Sequence, residues 1–142
     1  MKKLVSKLWV FILLVGALGV GVAKGQITNA VDFKAPSSFV AGETTLPAGS
    51  YSARPWSMDP SVLEISNAAG THSVLVDTEA SSSETPAKST GVVFAKYGNL
   101  LVMKQIVLAN QKTGYNIISR HAEKKAATAG PATKQTVPAT AK

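Results

Sequence analysis

A chain of 142 residues with no cysteine can form no disulfide and carry no lipid on an N-terminal Cys, so its fold must rest on packing alone. The formal charge of +7 is unevenly spread: four of the fifteen Lys and Arg residues precede Gln26, residues 26–119 hold six bases against seven acids, and residues 120–142 hold five bases against Glu123. A nucleic-acid-binding domain carries its basic footprint on the folded body with aromatics interleaved, so nucleic acid is excluded as a partner.

Residues 1–25 read as a secretory signal peptide. Lys2, Lys3 and Lys7 precede an uncharged run of sixteen residues, Leu8 to Ala23. Cleavage is expected after Gly25, with Ala23 as the second site. The run is short of the roughly 20 residues that cross a hydrocarbon core, so membrane contact is expected only through this segment before cleavage. The mature chain is then exported, to the periplasm, the cell surface or the medium.

Residues 26–119 are punctuated as a single all-β domain, a small antiparallel β-barrel or sandwich of about six to seven strands. Val31 and Phe33 alternate with Asp32 and Lys34, and Pro36 ends that strand. Phe39 and Val40 lead into a turn at Ala41-Gly42-Glu43, and Leu46-Pro47-Ala48-Gly49 forms the next. Tyr51 opens a strand expected to stop at Pro55. The runs Val62–Ser66 and His72–Thr78 flank a hairpin turn at Asn67–Thr71. Residues 79–90, with four serines, two threonines and Pro86, read as a flexible loop. A second hairpin pairs Val92–Tyr97 with Leu100–Ala109 around Gly98-Asn99. Its run Leu100-Leu101-Val102-Met103 suggests a strand covered on both faces. After a turn at Thr113-Gly114 comes a last strand, Tyr115–Ile118. Residues 120–142 are expected to form a short helix capped by Ser119 and then a disordered tail of Ala, Thr, Lys and Pro, whose burial cannot offset its ordering entropy.

The body resembles a group of small secreted bacterial β proteins with the recurring pattern F-x-x-G-x-x-x-L-P-A-G-x-Y, then F-x-x-Y-G, then S-R-x-E-K. Here these are Phe39-Val40-Ala41-Gly42, Leu46-Pro47-Ala48-Gly49-Ser50-Tyr51, Phe94-Ala95-Lys96-Tyr97-Gly98 and Ser119-Arg120-His121-Ala122-Glu123-Lys124, the last with two residues between Arg and Glu where the pattern has one. The resemblance implies a compact exported β domain and brings no activity with it. Ala35-Pro36-Ser37-Ser38 departs from the pattern and suggests a bulge or break.

Chemistry is sparse. Nucleophilic catalysis needs a nucleophile, a base and an orienting group, yet the chain has only His72, beside a turn, and His121, beside Glu123, both best read as solvated. They match no metal-ligand spacing. Asp77 and Glu79 share a strand face but border the serine-rich segment. No phosphate-binding glycine loop is present. No catalytic residue, cofactor or metal site is therefore assigned, and the chain is not expected to be an enzyme. The residues that invite a ligand or partner contact are Arg54 and Trp56, with the ring ordinarily capping the core. The basic tail offers attraction to an envelope protein or an anionic envelope polymer. The function expected is a non-catalytic structural or partner-binding module, or alternatively a carrier that holds a small apolar ligand inside a barrel; a hydrolase is disfavoured.

Overall fold

The computed structural model describes residues 30–142; the expected signal segment and its cleavage sites lie outside the described residues. Among the described residues, ten strands and one helix follow one another. They are β1 (Val31–Ala35), β2 (Phe39–Ala41), β3 (Thr44–Leu46), β4 (Gly49–Trp56), β5 (Asp59–Asn67), β6 (Ser73–Ser82), β7 (Gly91–Tyr97), β8 (Leu100–Val107), β9 (Thr113–Ile117), α1 (Arg120–Ala127) and β10 (Thr133–Ala141). Eight of the strands, in the spatial order β8-β7-β10-β1-β4-β5-β6-β9, return to β8 and close an antiparallel barrel. The short β2–β3 hairpin stays outside that ring. It pairs in parallel with the start of β8, where Phe39 meets Leu101 and β9 has already ended.

The barrel's eight strands exceed the expected six to seven because the tail is ordered: residues 133–141 are a barrel strand, not a disordered segment. Their composition misleads because only alternate positions face inward. Gln135, Val137 and Ala139 are half-buried while Lys134, Thr136, Pro138 and Thr140 are exposed. A strand bonded along both edges needs little apolar surface of its own. β10 has six paired positions with β7 but only three with β1. Pro138 explains the difference, because it has no N–H to donate and stands where the ladder to β1 stops.

The connections between distant strands account for two further features. From β6 the chain must pass the ends of β9 and β8 to reach β7, a distance of about 14 Å at normal strand spacing. Residues 83–90 make this crossing. They are pinned rather than free: Ser83 N–H donates to Lys112, Ala87 N–H to Gln111, and Asn110 N–H back to Ala87. The expected loop at 79–90 is also shorter, since Glu79 to Ser82 belong to β6 and pair with β9. The second crossing, from β9 to β10, is made by α1 over the outside of β8. There Ala126 packs on Val40 and Val102, which explains why Leu100 to Met103 reads as apolar on both faces.

Local departures follow from backbone chemistry. β4 runs through Pro55 to Trp56 instead of stopping, at the cost of a register shift between those two residues. The Thr113-Gly114 pair lies within β9 rather than in a turn; the turn precedes it, with Asn110 at φ +61°. The break at residues 36–38 is real, and it carries the chain from β1 to the parallel position beside β8.

Phe33, Phe39, Tyr51 and Phe94 meet at the centre. Their ring centroids lie 5.1 to 6.3 Å apart, several edge to face, and all four rings are essentially inaccessible to solvent. Ile65, Val76, Val92, Leu101, Met103 and Ile106 surround them.

Candidate functional site

A groove of about 580 Å³ lies on the outer wall, beside the crossing from β9 through α1 to β10. Its wall begins with one cross-strand row, Val93 opposite Gln105, Gln105 opposite Asn116 and Asn116 opposite Glu79. These residues alternate with the core residues Val92, Ile106 and Ile117, so strand periodicity turns them outward. The far rim is built by Ser119, Arg120 and Glu123 of the crossing and by Ala132 to Lys134 at the start of β10.

Two pairings fix the polar groups. Lys104, half-buried on β8, forms an ion pair with Glu123 of α1. Gln105 donates its side-chain N–H to the Ser81 hydroxyl at 2.9 Å. Arg120 and Lys134 on the rim, and Glu79 on the wall, form no ion pair among the described residues.

Ser119 behaves unlike its sequence reading. It occupies the N-cap position of α1, but its hydroxyl makes no capping bond. Glu43, 78 residues upstream of His121, takes that role: its carboxylate accepts from His121 N–H at 3.2 Å and from Ala122 N–H at 3.1 Å. Ser119 is left 1% exposed with its hydroxyl oxygen unpartnered at the side of the groove.

The residues singled out in the sequence lie elsewhere and apart. Arg54, exposed on β4, forms an ion pair with Glu64 of β5 at 3.1 Å, and Trp56 is half-buried at the bulge next to the β4–β5 turn. Met58 at the tip of that turn is 79% exposed. His72 lies at the opposite end of β5, about 26 Å away by strand length. His121 lines a separate depression on the β2–β3 side of α1, with Glu43 and Val40. Of the acidic and histidine candidates only Glu79 reaches the groove. Among the described residues, no three His, Asp or Glu side chains gather as metal ligands would.

A third depression lies over β1, where Asp32 meets Lys142 at 2.7 Å. The hydrogen bond from Lys142, helped by one from Ser52, holds the Asp32 carboxyl below the usual carboxylate range.

Sequence reasoning missed Ser119 as a groove residue because its local context reads as a cap; no nearby signal shows that Glu43 has displaced it. Lys134 escapes notice because it lies in a segment whose composition reads as disordered.

These observations define a closed eight-stranded antiparallel barrel filled by its own side chains, with a polar groove outside it. Comparison with known protein families, with curated proteins and with solved structures found no match to this chain.

Proposed function

We propose that this chain is an exported, non-catalytic β-barrel module of the cell envelope or extracellular space that binds a partner through the groove beside α1. The observation that carries this reading is the Ser119 hydroxyl. It is buried, freed from capping by Glu43, and unpaired at the edge of the groove, among charged side chains on a rigid wall. Binding sites gather a few such polar groups on a preformed surface. The scatter of His72, Asp77, Glu79 and His121 supports binding over catalysis, because acid–base chemistry needs such groups within hydrogen-bond reach of one another. The resemblance to small secreted β proteins and the lysine-led apolar N-terminus support export.

A carrier that used the barrel interior would need open space where Phe33, Phe39, Tyr51 and Phe94 touch one another, so packing favours the external groove. A tether made of a free basic tail is replaced by a fixed basic edge: Arg120, Lys124 and Lys125 ride on α1 and Lys134 on β10. An envelope protein or an anionic envelope polymer remains the partner class.

Cell fractionation of the full chain, with sequencing of its mature N-terminus, tests export. Recovery in the cytoplasm with residues 1–25 intact would overturn that part. Capture from envelope extract by immobilised protein tests the groove, with Arg120→Gln as the comparison: the partner should be retained by the native protein and lost by the variant.

A further inference from the structure

We infer that the groove is a binding site for a carboxylate carried on a short apolar body, with the Ser119 hydroxyl as its buried donor and Arg120 as its charge partner. The inference deepens the partner-binding reading and rests on it.

Charge at the site points to one anionic group. Lys104 and Glu123 neutralise each other. Of the other charged side chains at the groove, Arg120 and Lys134 are cationic and Glu79 is acidic, which leaves a single positive charge unmatched. A carboxylate supplies that charge and two acceptor oxygens. One can take the O–H of Ser119 and the other the planar fork of Arg120, both charge-assisted bonds.

The amides of His121 and Ala122 in the first turn of α1 contribute nothing to this anion, since Glu43 already occupies them. Recognition is assigned to the side chains of Ser119 and Arg120. Val93, Phe94, Ala95, Ile117, Ile118 and Ala132 supply the apolar part of the lining, against which a short aliphatic body can lie. A volume of about 580 Å³ is ample for such a ligand.

Such a carboxylate can belong to a free aliphatic acid or to the C-terminus of a peptide. NMR titration of the ¹⁵N-labelled full chain with hexanoate and, separately, N-acetyl-leucine distinguishes the two sources. Hexanamide serves as the neutral control. Saturable shifts are expected at Gln105, Ser119, Arg120 and Lys134 with at least one acid and not with hexanamide. Removing one charge-assisted bond should weaken binding by about 10-fold in Arg120→Gln and about 5-fold in Ser119→Ala. Ser119→Ala should also raise the thermal midpoint of the unliganded protein, because it deletes a buried hydroxyl that has no partner; that readout shows the variant is folded.

Equal binding of hexanamide, unchanged affinity in Ser119→Ala, or no groove shifts with either acid at millimolar concentration would overturn the carboxylate assignment. If both acids fail while an envelope partner is still captured and lost in Arg120→Gln, only the ligand chemistry is wrong. If the capture fails as well, the partner-binding reading falls with it.

Discussion

The carboxylate of Glu43 closes the first turn of a distant helix through the backbone N–H groups of His121, 78 residues later, and Ala122. Gly42, at φ +61°, makes the tight β2–β3 turn that presents it. Glu43→Ala should therefore behave as loss of an N-cap, destabilising the protein by about 1 kcal/mol. Faster amide exchange over residues 120–125, with β4 to β6 unaffected, would identify the cause. Equal protection of α1 in both proteins would show that its packing on Val40 and Val102 suffices.

Removal of residues 131–142 deletes β10 and leaves β7 and β1 with open edges on either side of the gap. Ten to fifteen residues are often dispensable at a terminus, but here the ring cannot close without them. The truncated chain should lose its cooperative thermal transition and associate through the exposed edges. Circular dichroism melting and light scattering would register both.

Gly114 is required by a close backbone approach. A Cβ there would lie 2.5 Å from the Ile106 carbonyl oxygen, a group fixed in the β8–β9 ladder. Gly114→Ala should cost about 2 kcal/mol or more, in the range of an overpacked core. Gly98→Ala, with open space around it and only its φ of +61° against it, should cost about 1 kcal/mol. Chemical denaturation of the two variants reads the contrast; equal losses would mean that strand β9 shifts to make room.

The Asp32–Lys142 pair gives a signed pH dependence. The Asp32 carboxyl is held below its ordinary value, so its contribution is present above the ordinary carboxylate pKa and is lost as pH falls through the lowered one. Lys142 is held above its ordinary value by Asp32; its contribution is present at neutral pH and is lost as pH rises through the raised one. Asp32→Asn should flatten the acid limb of the stability curve below the ordinary carboxylate pKa. The effect will be small and salt-sensitive, because the pair is exposed. An unchanged acid limb would show that the pair contributes nothing.

Tyr51 donates its hydroxyl to the Pro47 carbonyl at 2.7 Å, which ties the two ends of the Leu46–Tyr51 motif together. Tyr51→Phe keeps the ring among Phe33 and Phe39 and should lose about 1 kcal/mol at neutral pH. Burial also raises the pKa of this phenol, so its contribution fades as pH rises through the raised value. The difference between the two proteins should therefore shrink at strongly alkaline pH. A constant difference would sink the assignment.

The sequence was most legible where local chemistry decides. Period-two alternation placed Phe33, Ile65, Val76 and Phe94 in the core, and all four are buried. Gly42, Gly70 and Gly98 mark turns and take positive φ. What escaped depends on distant partners. β10 is a strand because β7 and β1 flank it, not because Ala-Thr-Pro-Lys composition favours one. Residues 83–90 are held by the turn after β8, which no window around Pro86 contains. The groove was invisible for the same reason, since its wall comes from four strands and its unpaired hydroxyl exists only because Glu43 arrives from elsewhere.

The position of β10 also orders events in time. Its neighbours β1 and β7 precede it by about a hundred and about forty residues, yet neither can be joined to the other until residues 133–141 have been synthesised. A nascent chain shorter than this is an unsealed sheet with Phe33 and Phe94 within reach of water. Until that final strand is present, the ring has no means of sealing.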